Sequence, residues 1–429
     1  MSNPLVTKVL LSPLGSSAVA AGDTGTIIKI VRQALGWNQH DLAKRTGYSQ
    51  PTISRLERGQ SRAARDMMIL IDFAAALGIA PAALGLVPSP PTSSTLDEVD
   101  RRKFFNGALT IVIAAMLPQA IVTPGRIGAA DVAHCWTSLR RLFELDDRHG
   151  GVAVYQVAAR IAQHLQDALR RGSYTPQVGS DLRAVTAATM EHAGWLAYDA
   201  GMQDQARRWW LETCHLSDPT HVPEAHITAL ASMALQASAG PASAARETID
   251  LAHAARAAAG TSASPTLLSV LAAREAVGLA KANDATAANS KITESRRYLD
   301  QGRRGDEPLW LNFWGEADLA SHETRVYLAT GKFKSAETSA RTTLANADVE
   351  FFPRNHSLYE IRLTSILIRS GQLDEAISIA NNIMQRGELI LGSQRISTRL
   401  LDAIDSLAQQ SYRPAKSFAA AARQIFPRA

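Results

Sequence analysis

The sequence predicts an all-α chain, a small helical domain at the amino terminus followed by a solenoid of helical hairpins. Three observations carry this expectation. From Ala130 to Arg428 almost everything reads at helical spacing, interrupted by Gly, Pro or Asn, and strand-like alternation is absent. The composition is rich in alanine and holds only 6% aromatics, which suits close helix–helix contact better than the β-branched and aromatic bias of strands. A five-residue spacing also repeats, in Gly201 with Ala206, Gly240 with Ala245, Gly331 with Ala336 and Gly371 with Ala376, and Asn283 with Ala288 is a weaker copy. In a helical hairpin the glycine ends the first helix in a left-handed turn. The alanine sits early in the second helix, where only a small side chain lets the backbones approach. These units start roughly 40 residues apart, the size of a repeat that must stack on its neighbours to bury its faces.

A length of 429 residues suggests two or three domains, and 46% hydrophobic with 20% charged residues excludes a largely disordered chain. Residues 1–25 read as a flexible arm, whose apolar patch Val9-Leu10-Leu11 is bracketed by Pro4 and Pro13 and is too short to span a bilayer. A helical domain is expected over 26–86. Residues 87–100 contain Pro88, Pro90 and Pro91 with serines and form a linker by composition. Residues 101–129 read as a connecting apolar helix, and 130–429 as the repeat domain. The uncharged segment 104–122 follows Arg101-Arg102-Lys103, like an export motif, but Pro118 and Gln119 cut it to roughly a dozen apolar residues rather than the ~20 needed to cross a membrane. A docked helix without membrane contact is expected, its role left open.

Charge is concentrated. Between Thr26 and Asp66 eight bases (Lys29, Arg32, Lys44, Arg45, Arg55, Arg58, Arg62 and Arg65) face three acids, a net +5 that equals the net charge of the whole chain. A basic module on a neutral body is the electrostatic footprint of a nucleic-acid reader. Cys135 and Cys214 are the only cysteines and no CxxC occurs, which excludes a disulfide scaffold or zinc ribbon and fits a reducing, cytoplasmic setting.

Within the basic module, Leu42, Ala43, Ile53 and Leu56 let two short helices cross at a steep angle. Gly47 ends the first helix. Ser49 is placed to cap the second with its hydroxyl, and Pro51 is tolerable in a first turn. Ile27, Ile28, Ile30, Val31, Ala34 and Leu35 form the apolar face of a supporting helix upstream. Met68, Leu70, Ile71, Ala74 and Leu77 form another downstream, and Pro81–Leu84 fits a short final helix.

The run Gln39 to Gly59 reads Gln-x-x-Leu-Ala-x-x-x-Gly-x-Ser-x-x-x-Ile-Ser-x-x-Glu-x-Gly, and it resembles the Cro/repressor-like (XRE) helix-turn-helix family. The resemblance implies a five-helix, lambda-repressor-like DNA-binding domain over about Thr26 to Leu86. The proline that often follows the final glycine is missing, since Arg62-Ala-Ala-Arg65 stands there. The resemblance also implies that the second helix enters the major groove, with Gln50, Pro51, Thr52, Ser54 and Arg55 at the base edges. A glutamine amide pairs with adenine and an arginine with guanine. Gln39, Arg58, Gln60 and Arg62 would contact the DNA backbone, while Glu57 is expected to be a structural partner.

The body resembles the tetratricopeptide-like halves of bacterial regulators that join such a domain to helical repeats. Gly194-Trp-Leu-Ala-Tyr-Asp-Ala-Gly201, Ala206-Arg-Arg-Trp-Trp210, Ser264-Pro-Thr-Leu-Leu268 with Ala272-Ala-Arg-Glu-Ala276, Pro308-Leu-Trp310 and Ser393-Gln-Arg-Ile396 carry it. Trp195, Tyr198, Trp209, Trp210, Trp310 and Trp314 read first as core. The functional alternative is that Trp195, Tyr198, Arg274, Trp310, Trp314, Arg325 and Arg362 line an effector groove.

No phosphate loop, His-Glu-x-x-His or Gly-x-Ser-x-Gly occurs, and Cys214-His215 with His221 and His226 fits no standard zinc spacing. Neither an enzyme nor a cofactor or metal is expected. The expected function is a nucleoid-associated, sequence-specific transcriptional regulator. It would bind double-stranded DNA as a homodimer on an inverted repeat, under control of a small-molecule, peptide or protein effector on the repeats. The alternative is a repeat scaffold for protein partners with a secondary DNA-binding module.

Overall fold

The computed structural model describes residues 6, 9, 10, 12, 14, 15, 18, 23–58, 70, 73, 74, 76–79, 84, 116–123, 125–217, 223–260, 263–304, 307, 309–349, 352–387, 390 and 392–425. The linker at 87–100 and the first part of the apolar helix, 101–115, lie outside them. Among the described residues there is no β-strand, only an isolated parallel bridge between Arg126 and Ser173. The chain divides into two compact units, Met1–Val122 and Thr123–Ala429.

In the first unit, α1 (Thr24–Ala34), α2 (Gln39–Thr46) and α3 (Gln50–Glu57) surround a core in which Ile27, Ile28, Val31, Leu42, Ile53 and Leu56 are fully buried. Asn38 caps α2, accepting from the amides of His40 and Asp41 while Asp41 accepts in return from Asn38. Gly47 closes α2 in the left-handed conformation at φ 74°, as its spacing suggests. Ser49 does occupy the cap position of α3, but its hydroxyl bonds the Thr52 hydroxyl at 2.9 Å rather than an orphan amide. Leu70, Phe73, Ala74 and Leu77 join this core. Of the five helices expected, most of the fourth and fifth lie outside the described residues.

The second unit begins with a single turn-bounded bridge and then three helices, α4 (Ala129–His149), α5 (Gly151–Arg171) and α6 (Pro176–Asp199). Helical hairpins follow. Helix α6 pairs with α7 (Gln203–Leu216), α8 (Pro223–Ala239) with α9 (Ala245–Ala259), and α10 (Pro265–Lys281) with α11 (Ala285–Leu299). Then α12 (Glu316–Ala329) pairs with α13 (Phe333–Asn346), α14 (Pro353–Arg369) with α15 (Leu373–Met384), and α16 (Gln394–Ala408) with α17 (Arg413–Ile425).

The repeated Gly/Ala spacing marks the hairpin turns. Gly201, Gly331, Gly371 and Asn283 all have φ between 65° and 80°, and the paired Ala206, Ala288, Ala336 and Ala376 are fully buried. Gly240 departs from this pattern. It is not left-handed, because Pro241 follows it and disfavours helical geometry in the preceding residue, and a one-turn 3-10 helix, Ala242–Ala244, leads into α9. Gly194 has a different use. A Cβ there would lie 2.5 Å from the Trp210 indole nitrogen, so glycine is what lets α6 accept the buried Trp210 ring.

The solenoid closes on itself. Asp199, at the end of α6, is fully buried and accepts from the Gly151 amide, the Ser393 hydroxyl at 2.7 Å, Arg354 at 3.0 Å and Arg395 at 3.1 Å. Arg354 also pairs with Asp146 of α4 at 2.8 Å, and the Val152 amide donates to the Gly392 carbonyl. The first helices of the unit thereby meet α14 and α16. Among the described residues no helix is long and apolar enough to cross a membrane.

Candidate functional sites: an exposed helix and an arginine-lined cavity

Helix α3 has one outward and one inward face. Ile53, Leu56 and Glu57 point inward and are buried, while Gln50, Pro51, Arg55 and Arg58 are exposed and Thr52 and Ser54 half-buried beside them. Arg55 donates to the Pro51 carbonyl and Arg58 to the Ser54 carbonyl, both along the helix surface.

A hydrogen-bonded chain runs from the core to that face. Arg32 of α1 binds Glu57 at two points, 2.5 and 3.0 Å, and donates to the Trp37 carbonyl at 2.6 Å. Glu57 accepts from the Gln39 amide at 2.8 Å, and the Gln39 carbonyl oxygen accepts from the Gln50 amide at 2.7 Å. The two glutamines at the starts of α2 and α3 are thus held in one orientation by a buried ion pair. Gly25 lets α1 approach closely, since a Cβ there would lie 2.6 Å from the Leu56 carbonyl oxygen. Gln60 and Arg62 lie outside the described residues.

Residues 28–84 match the helix-turn-helix family. The chain therefore carries a helix-turn-helix domain joined to a helical-repeat body. No curated protein matches it. The solved structures to which the chain is similar include the following three, each at low identity. The crystal structure of Bacillus thuringiensis PlcR in complex with the peptide PapR7 and DNA has 11% identity and a TM-score of 0.27 over 87% of this chain and 99% of that one. Yeast Tom70 has 13% identity and a TM-score of 0.30 over 95% and 90%. The P58(IPK) TPR domain has 12% identity and a TM-score of 0.20 over 98% of each. Superpositions this loose do not bear on function.

The repeat domain holds a half-open cavity of about 640 Å³. It is lined mainly by the first helices of successive hairpins, at spacings that keep one helical face inward, such as Thr228, Ser232 and Leu235 on α8 and Asp318, His322 and Arg325 on α12. Five of the seven residues expected to line a groove do so: Trp195, Arg274, Trp310, Arg325 and Arg362. Two are corrected. Tyr198 is buried against Trp195 and Trp210, and Trp314 is buried with its indole nitrogen donating to the Ser269 hydroxyl at 2.9 Å, so both belong to the core.

Sequence reasoning missed the acids and histidines of the wall. Burial pushes Glu191 up to about 7, only partly offset by its bond from Ser232, and pushes Asp318 up to about 7 despite the bond from Tyr359. Burial and then the Arg325 charge push His322 well below its usual range, so it is neutral. For Asp199, burial acts upward, but Arg395, Arg354 and the Ser393 bond together hold it below the usual carboxylate range. A usable signal was present: Glu191, Asp318 and His322 are ionisable residues set among the small and apolar neighbours Met190, Ala193, Ala317, Leu319 and Ala320.

Elsewhere, His226 contacts the Ser217 carbonyl at 2.8 Å, and burial pushes the Cys214 thiol up to about 11. His221 lies outside the described residues.

Proposed function

We propose that this protein is a sequence-specific transcriptional regulator that binds an inverted-repeat operator as a homodimer, with a ligand on the repeat domain altering that affinity. The observation that carries the reading is the outward face of α3, where Gln50, Thr52, Ser54 and Arg55 stand exposed or half-buried above a fully buried Ile53 and Leu56. In a major groove this face meets base edges first. Gln50 keeps its carbonyl oxygen and one N–H for adenine while its other N–H is held by Gln39. Arg55, one turn on, suits guanine. Gln39 keeps an N–H for a phosphate, and Arg58 follows at the helix end beside the backbone. Gln60 and Arg62 would extend those backbone contacts. Two half-sites would lie one helical turn apart, about 34–36 Å.

A gel-retardation assay with purified full-length protein on the DNA upstream of its own coding sequence tests this. Retention of that fragment over a shuffled duplex of equal length supports the reading, and equal retention of both contradicts it.

A further inference from the structure

Three arginines facing one cavity lack a carboxylate. Arg274 on α10, Arg325 on α12 and Arg362 on α14 take part in no ion pair within 4 Å among the described residues, and all three line the cavity. Arg274 is 4% exposed, and its Nε and one terminal nitrogen have no hydrogen-bond partner. Arg325 donates only to the hydroxyl and carbonyl of Ser238, and Arg362 only to those of Ser321, which are neutral acceptors.

Other charges nearby offset them only in part: Glu144 and Asp147 also line the cavity, but neither lies within ion-pair distance of the three. Asp146 and Asp199 are engaged by Arg354 and Arg395. Glu191 and Asp318, raised by burial to about 7, are about half protonated at neutrality, so Glu191 offsets part of the Arg274 charge, and His322 is neutral. Burial first, then Arg325 beside Arg274, Arg399 beside Arg325, and both Arg325 and Arg399 beside Arg362, lower Arg274 and Arg325 to about 10 and Arg362 to about 9, which leaves each charged under ordinary conditions. A folded chain that gathers one buried and two half-buried guanidinium groups, none with a carboxylate in ion-pair range, is destabilised by them, and a bound anion relieves that cost.

Aromatic rings share the wall with polar and charged side chains such as Arg140, Glu144 and Asn312. Phe143, Trp195, Phe313 and Phe352 line the same space, and the Trp310 indole nitrogen and the His322 Nε2 in it have no partner. The volume falls in the range of small-molecule sites. A space of this volume suits a compact ligand rather than a long strand of peptide.

We propose that this cavity binds a small organic oxyanion, a carboxylate or phosphate carried on an aromatic or apolar body, through Arg274, Arg325 and Arg362. The proposal rests on the regulator reading for its biological purpose, and names the class of ligand that would control it. Arginine suits this task because its planar donors match an oxyanion at two points.

The test is thermal unfolding and tryptophan fluorescence of the full chain, titrated at matched ionic strength. The probes are phenylacetate, phenyl phosphate, neutral phenylacetamide and a tetrapeptide ending in phenylalanine with a free carboxylate. At least one of the two small oxyanions should raise Tm saturably and change the Trp195 and Trp310 emission, and phenylacetamide should do neither. Their relative strength distinguishes carboxylate from phosphate. Arg274→Met and Arg362→Met should weaken the response about tenfold or more, while Arg362→Lys keeps the larger part. Without ligand, Arg274→Met should unfold at or above the parent temperature, which separates loss of a binding group from loss of fold. No response to either small oxyanion, an equal response to the amide, an unchanged response in the Met variants, or a response to the tetrapeptide alone overturns the proposal. Gel retardation without added anion reads the DNA-binding domain separately, so failure of one reading is not mistaken for failure of the other.

Discussion

Arg32 and Glu57 form a buried two-point ion pair that joins the supporting helix α1 to the end of the exposed helix α3. Glu57 also holds Gln39, and Gln39 holds Gln50, so the pair orients two side chains at the surface from inside the core. Glu57→Ala leaves the Arg32 guanidinium buried and uncompensated. The expected cost is about 3–5 kcal/mol of domain stability. The double variant Arg32→Met, Glu57→Leu should recover a large part of it in urea denaturation yet still bind DNA poorly, because Gln39 has lost its acceptor.

Arg55 and Arg58 are both exposed on α3, but the proposed roles differ. Arg55→Ala should cost roughly 1–3 kcal/mol on the preferred operator and relax one base position. Arg58→Ala should weaken binding to every duplex and lower the salt slope by about one unit. Fluorescence anisotropy on operator and random DNA across a salt series distinguishes the two. Equal losses for Arg55→Ala on both duplexes would remove it from base reading.

Asp199 closes the repeat solenoid. Asp199→Asn retains the shape but removes the charge facing Arg354 and Arg395, with an expected cost of about 3–5 kcal/mol. Its folded carboxyl lies below the usual range, so its stabilisation is present above the unfolded carboxylate value and is lost as pH falls through the folded one. Hydrogen exchange of the variant should show loosened amides at Gly151 and Val152, where this closure is made.

Glu191 has the opposite sign. Folded, it keeps its proton up to about 7, against 4.5 for an ordinary glutamate. Between those values the folded chain binds the extra proton, so stability falls as pH rises through that window. Glu191→Gln removes this dependence. The variant's stability relative to the parent should therefore grow by on the order of 1–3 kcal/mol between about pH 5 and pH 8. A constant difference across that range would contradict the assignment.

How much of this was legible in the sequence follows from the range of each interaction. Gly201, Gly331 and Gly371 and their alanines could be read because a hairpin turn is local. Gly240 misled because the adjacent Pro241 changes what the same glycine does. The role of Glu57 was legible as structural, but its partner Arg32, 25 residues upstream, was not. Ring closure at Asp199 joins residues 155 to 196 positions away, which no periodicity encodes. The cavity was half visible: mid-helix arginines stand out in sequence, but which aromatic rings face the space and which pack behind it depends on how successive hairpins rotate. That rotation placed Trp195 and Trp310 on the wall and sent Tyr198 and Trp314 into the core.

The central claim is that α3 reads base sequence. Selection of bound duplexes from a random library by the full-length protein, with Arg55→Ala in parallel, tests it most directly. The account predicts enrichment of an inverted repeat whose half-site centres lie about one helical turn apart, and loss of preference at one position per half-site in the variant. Enrichment of no motif, or of the same motif at full strength by both proteins, would contradict it.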